Sequence, residues 1–170
     1  MKQALLILIL GMIAFSEAAS QEEATTMTKL GQEAPAFICT TLDGKTIDIK
    51  KLRGKVIMIN FFATWCPGCN LELPELQKTI WEKYRNNDKF VLVVIGREHS
   101  DKELSEYAAL KGLSLPFAPD PKREIYNLYA SKYIPRNVVI DREGKIIYQK
   151  SGFTAAELAG IEKLISENLT

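Results

Sequence analysis

The sequence has one histidine and three cysteines in 170 residues, and these small numbers exclude a good deal. A structural zinc site needs four ligands. Beside one cysteine pair only Cys39 and His99 remain, and neither has ligand-pair spacing. An odd number of cysteines cannot all pair within one chain, so a pair plus a spare is the natural division. An excess of either charge is also missing. Lys and Arg total 22 against 21 Asp and Glu, a net charge of +1. A nucleic-acid binder would show a basic excess, and no block of like charges suggests a polybasic membrane patch or a charged tail. No apolar run reaches the roughly 20 residues that span a bilayer. Repeats and low-complexity segments are absent. What remains, 46% hydrophobic and 25% charged residues, is an ordinary soluble chain long enough for one domain with a core.

The first twenty residues read as an export signal. Lys2 precedes the apolar run from Ala4 to Phe15, and small residues follow at Ser16, Ala18, Ala19 and Ser20. The competing reading is a buried N-terminal helix, but the polar stretch from Gln21 to Lys29 looks like a linker rather than its continuation. No cysteine stands near the junction to take a lipid. The expected organisation is a signal peptide at 1–20, a linker at 21–30 and one domain at 31–170, with no permanent membrane anchor after cleavage. Outside the cytosol thiols tend to oxidise.

The chain is organised around the stretch from Asn60 to Pro74. Val56 to Phe62 reads as an apolar strand covered on both faces, as at the centre of an α/β sheet. Cys66 and Cys69 follow in a C-x-x-C spacing. Leu73, Leu76, Ile80 and Tyr84 then recur at helical spacing, and Pro74 is expected to kink that helix. Upstream, Ala36–Thr41 and Thr46–Ile49 read as strands about an Asp43-Gly44 turn. Downstream, Phe90–Ile95 reads as a second buried strand. Ser100 with Glu103 makes a capping box for a helix ending near Gly112. Leu115–Ala118 reads as a short extended piece. Asp120-Pro121 reads as the N-cap and first residue of another helix, with Ile125, Leu128 and Tyr129 inward. Asn137–Ile140 and Lys145–Tyr148 read as a strand pair. Thr154 with Glu157 caps a last helix facing inward through Leu158, Ile161 and Ile165. This order defines a single α/β domain with a mixed sheet.

Two stretches carry a resemblance: Phe61-Phe62-Ala63-Thr64-Trp65-Cys66-Pro67-Gly68-Cys69 with Glu72 and Pro74, and Tyr133-Ile134-Pro135-Arg136-Asn137 leading into Val138–Asp141. They resemble the thioredoxin superfamily, specifically its exported bacterial TlpA/ResA-like thiol–disulfide oxidoreductases. The resemblance covers about Gly31 to the C-terminus, and Gly96 to about Asp120 matches an α-β insertion that a minimal thioredoxin lacks. It implies a thioredoxin fold: a mixed central sheet flanked by helices, an N-terminal β-hairpin, the central insertion, and the cysteines at the N-terminus of a kinked helix. It implies a cis Pro135 beside the cysteines, leaving the Ile134 backbone free to pair with an extended peptide; the alternative is a trans proline opening an edge strand. It further implies no metal and no cofactor beyond a redox-active Cys66–Cys69 disulfide. Its partners would be disulfide-containing exported proteins as substrates and a membrane thiol reductant, and its location periplasmic or otherwise extracytoplasmic. Asn60 departs from the wider pattern, standing where thioredoxins carry a buried Asp, while Glu72 supplies a carboxylate instead. Pro67-Gly68 is not the commonest dipeptide of the branch. Arg136 stands where many members have Thr, and two readings of it stand: a residue that biases substrate charge, or a solvated rim residue.

The reactive form of cysteine is the thiolate, which a helix N-terminus favours through its unpaired N–H groups and dipole. Cys66 falls at that end and Pro67 fits the first helical position, so Cys66 is expected to be the exposed, attacking thiol. Cys69, one turn in, is expected to be more buried and to resolve the mixed disulfide. Glu72 lies three residues further on the same face and can take the Cys69 proton, directly or through a water; its other reading is an exposed helix-face acid. Trp65, Pro67, Ile134, Pro135 and Arg136 are the expected substrate contacts. Cys39 reads as a small core residue and His99 as a surface residue. For the cysteine pair itself, a structural disulfide and half a zinc site compete with redox exchange; the strand before, the helix after and Trp65 beside it favour exchange. A peroxiredoxin-like peroxidase would place a Thr where this chain has Ala63, and a copper-chaperone-like module would space its cysteines C-x-x-x-C with a distant His.

Overall fold

The computed structural model describes residues 24–170; the expected signal peptide and the first linker residues lie outside them. A short hairpin comes first, β1 (Ile38–Thr40) paired antiparallel with β2 (Thr46–Asp48). The main sheet has five strands: β3 (Val56–Phe62), β4 (Phe90–Arg97), β5 (Phe117–Asp120), β6 (Arg136–Ile140) and β7 (Ile146–Ser151), in the order β5-β4-β3-β6-β7. β4 runs parallel to β3 and to β5, whereas β6 is antiparallel to β3 and to β7. The helices are α1 (Pro67–Leu76), α2 (Asp101–Lys111), the short α3 (Tyr126–Tyr129) and α4 (Ala155–Leu169).

β3 is central because both of its faces are covered. Val56, Met58 and Phe62 pack with the cysteines, with Leu73, Leu76 and Ile80 of α1 and its extension, with Leu104 of α2, and with Leu158, Ile161 and Ile165 of α4. Ile57, Ile59 and Phe61 point the other way, into a second core built from the hairpin (Phe37, Cys39, Ile47) and from Tyr126 and Tyr129 of α3. All seven residues of β3 are buried, as a strand sandwiched between two layers requires. Cys39 is free and buried in the second core, where burial pushes its thiol up to about 11; it is the small core residue expected.

The helical pattern expected through Tyr84 is present. Pro74 lies inside α1, and the helix continues past it through a π-helical turn (Gln77–Trp81) and a last turn (Glu82–Tyr84). Helical spacing of buried residues therefore holds across Pro74 although the backbone ladder is re-spaced after it. No helix begins at Pro121. Asp120 ends β5, and its carboxylate accepts the N–H groups of Ile125 and Tyr126 instead, at 3.2 and 2.8 Å. Within the stretch 21–30 expected as linker, the Met27 amide donates to the Tyr129 carbonyl.

Candidate active site

Cys66 is the N-cap of α1, in extended conformation, and Pro67 occupies the first turn. The missing N–H of a proline costs nothing there, because that group has no partner inside the helix. Cys66 and Cys69 are joined in a disulfide, with Cα atoms 5.3 Å apart. The Cys69 amide also points at the Cys66 sulfur, at 3.2 Å. Cys66 is only 5% exposed and Cys69 not at all, so the first cysteine is less open than expected. What stands open beside it is Trp65, at 60%, together with Pro67.

The second stretch arrives from β6. The Ile134–Pro135 peptide bond is cis. Pro135 faces the C-x-x-C turn closely: a Cβ added to Gly68 would lie 3.3 Å from the Pro135 Cδ. The Ile134 carbonyl oxygen lies 3.7 Å from the Cys66 sulfur. Arg136 does not join this group. In register it faces Phe61, whose side chain belongs to the second core, on the sheet face away from the cysteines. Its guanidinium donates to the Thr26 hydroxyl at 3.1 Å and its side chain is 1% exposed. It is therefore neither a rim residue nor open to a substrate.

Beneath the disulfide lies a closed polar cluster. Glu72 is 1% exposed, not an exposed helix-face acid. The Asn60 amide donates to its Oε2 at 2.8 Å and to the Asn137 Oδ1, also at 2.8 Å. The Asn137 amide donates to the other Glu72 oxygen. Asn60 and Asn137 are register partners on β3 and β6, so the sheet places both amides under one helix residue. Burial raises the Glu72 carboxyl from 4.5 to about 7, against the two amide hydrogen bonds, which pull it down. A carboxyl poised near neutrality can both take and return a proton. Asn137 was visible in the sequence only as a strand residue, since nothing local marks a partner 65 positions from Glu72.

The loop before Cys66 is held by Asn70, which the sequence did not single out, and by His99, which it read otherwise. The Thr64 carbonyl and the Cys66 carbonyl both accept from the Asn70 amide, at 2.9 Å each. The Asn70 oxygen in turn accepts the Tyr107 hydroxyl of α2 at 3.0 Å. The Thr64 N–H donates to His99 Nε2 at 3.0 Å. His99 is 5% exposed, a buried residue rather than a surface one. Arg97 lies beneath Trp65, with its guanidinium 5.6 Å from the ring centre, and shares the Glu98 carboxylate with Arg123.

A C-x-x-C disulfide capping a helix, beside a cis proline on a mixed five-stranded sheet, defines the thioredoxin-fold class of protein. Comparison with known proteins narrows this. The family described as Redoxin matches residues 29–165. The thiol-disulfide oxidoreductase ResA of Bacillus thuringiensis is 32% identical over 139 residues, 81% of this chain and 79% of the relative. The solution structure of a candidate protein disulfide isomerase from Bacteroides thetaiotaomicron superposes with a TM-score of 0.81 at 37% identity, over 85% of this chain and 92% of that one. A thioredoxin-family thiol:disulfide interchange protein from Chlorobium tepidum gives 0.69 at 25% identity, over 84% and 99%. The chain belongs to the Redoxin family and is a TlpA/ResA-like member of the thioredoxin superfamily, a thiol–disulfide oxidoreductase. Among the described residues no helix is long and apolar enough to cross a membrane, and no cluster of His, Cys, Asp or Glu is placed to hold a metal.

Proposed function

We propose that the protein is an extracytoplasmic reductant of protein disulfides, acting through Cys66 and Cys69 without a cofactor. The single observation that carries this reading is the disulfide at the tip of α1 with a buried carboxyl, Glu72, one turn beneath it. In the reduced protein the Cys66 thiolate attacks one sulfur of a substrate disulfide. The substrate S–S bond breaks, a mixed disulfide forms, and one substrate thiolate leaves. Cys69 then gives its proton to Glu72 and attacks the Cys66 sulfur. That step forms the Cys66–Cys69 disulfide and releases the second substrate thiol, so two electrons pass to the substrate. A thiol reductant, in our reading a membrane protein, restores the dithiol. Trp65 and Pro67 border Cys66 on one side. The half-buried Ile134, next to cis Pro135, lines the other, where its backbone can pair with an extended substrate segment. The apolar N-terminal run and the family support an exported location, and relatives named ResA and thiol:disulfide interchange protein support disulfide-bonded proteins as substrates.

The test is Cys69→Ser. Without the resolving thiol, Cys66 should remain joined to substrate, giving covalent adducts on non-reducing gels that collapse on reduction. The wild type should catalyse insulin-disulfide reduction, and Cys66→Ser should abolish both behaviours. No adducts with Cys69→Ser, together with no insulin reduction by the wild type, would remove the reading.

A further inference from the structure

His99 lies under the loop that delivers Cys66, and its placement is built. β4 ends at Arg97, and the next residue, Glu98, takes a left-handed conformation with φ 67°. A non-glycine residue is held there only when its surroundings determine it. Here they do: the Glu98 amide donates to the Asp120 carbonyl at 2.8 Å and the His99 amide to the Gly96 carbonyl at 3.2 Å. The turn directs the imidazole inward against Phe62, at 6.3 Å between ring centres. There Nε2 accepts the Thr64 N–H at 3.0 Å. An accepting Nε2 carries no proton, so the proton of the neutral ring is on Nδ1. Nδ1 is buried without a hydrogen-bond partner, and the nearest carboxylate, Glu103 on α2, stands 4.0 Å away.

We propose that His99 is a positioning residue for the nucleophile loop: through Nε2 it holds the Thr64 amide, and with it the placement of Trp65 and the Cys66 sulfur. The idea rests on Cys66 being the attacking thiol. Asn70 secures the carbonyls of Thr64 and Cys66, and His99 secures the amide side of the same loop, so the loop is gripped through both kinds of backbone group. Only an unprotonated acceptor can do this. Protonating Nε2 sets an N–H against an N–H and releases the loop. The charged groups facing the ring are Glu103 on α2 and Glu98 and Arg97 at the end of β4. The loop itself contributes no titratable group but Cys66, and Asn70 of α1 is neutral. Burial outweighs the two acids and holds the His99 pKa below its ordinary value, so the anchor is in place at neutral pH and fails in acid.

The test uses the full chain with His99→Gln, whose side-chain oxygen can accept the Thr64 amide but cannot titrate, and His99→Phe, which keeps a ring and has no acceptor. The rate of the reduced proteins with oxidised glutathione is measured from pH 4.5 to 8. The Thr64 amide resonance of the oxidised proteins is followed over the same range. A neutral hydrogen bond is worth about 1 kcal/mol, roughly fivefold. His99→Gln should react within twofold of wild type at pH 7.5, and His99→Phe roughly fivefold more slowly. The Thr64 resonance should show an acid transition in the wild type that His99→Gln lacks. A folded His99→Phe with wild-type rate and a wild-type Thr64 resonance overturns the proposal. Should His99→Phe not fold, an acid transition of Thr64 that survives in His99→Gln overturns it instead. A Cys66→Ser control separates the two readings: residual exchange there defeats Cys66 as nucleophile, whereas the Thr64 resonance reports on His99 alone.

Discussion

Replacing Glu72 by glutamine is expected to stabilise the oxidised protein at pH 8 relative to wild type, and to do so far less at pH 5. The unfolded carboxyl releases its proton near its ordinary value of 4.5, but the buried one holds it until about pH 7. Between those values the folded state binds more protons than the unfolded state, so the group destabilises the fold as pH rises. The full difference at pH 8 is on the order of 3 kcal/mol. Glutamine lacks that penalty. Its NH2 must face one of the two asparagine amides, at a cost of about 1 kcal/mol, which leaves a net gain at pH 8. The difference between variant and wild type is the quantity to measure, by urea midpoints at both pH values. His99, with its depressed pKa, titrates in the opposite sense below about pH 6.5 and cancels in the difference. A difference that does not grow from pH 5 to 8 would show that Glu72 is ionised at little cost. The same variant should leave Cys66 attack unchanged and lengthen the life of the mixed disulfide by about 100-fold or more, the low end of what a positioned general base contributes.

Phe62→Ala is expected to cost about 3–5 kcal/mol, the range for emptying a fully buried aromatic site. Phe62 is 0% exposed. It ends β3 and contacts the Phe117 and Tyr107 rings at 5.3 and 5.6 Å between centres, as well as His99. The cavity would open at the meeting point of β3, β5, α2 and the loop carrying Cys66. Denaturant unfolding of the oxidised protein would register the loss, and a change below 1 kcal/mol would mean that the site collapses around the missing ring. Phe62→Leu should recover most of the loss.

The residues of β3 made the fold legible: a strand apolar along its length announces cover on both faces, and the C-x-x-C with a helical pattern behind it announces what that strand delivers. Capping residues at Ser100 and Thr154 marked real helix starts, because a cap is a local interaction between neighbours three apart. Misreadings occurred where the decisive contact was distant. Arg136 was legible as a charged residue beside the proline, but its face is set by its pairing with Phe61. His99 was legible as a loop residue but not as a buried one, because the amide it serves lies 35 positions earlier. Glu72 kept two readings on spacing alone, and its burial under the amides of β3 and β6 removes only the exposed helix-face acid. Cys66 was expected to be open because it caps a helix; the Ile134–Pro135 segment lies over it.

The Asn60–Asn137 hydrogen bond joins residues 77 apart. Ribosomes deliver a chain from its N-terminus, so Cys66, Cys69 and Glu72 emerge together and long before β6. Until that strand arrives, Glu72 has no second amide and no cover, and the two cysteines belong to a solvated peptide. Long-range closure of this kind is slow compared with helix formation. The poised chemistry of the site is thus a property of the completed chain, and recovery of exchange activity during refolding reports the docking of β6, not the formation of α1.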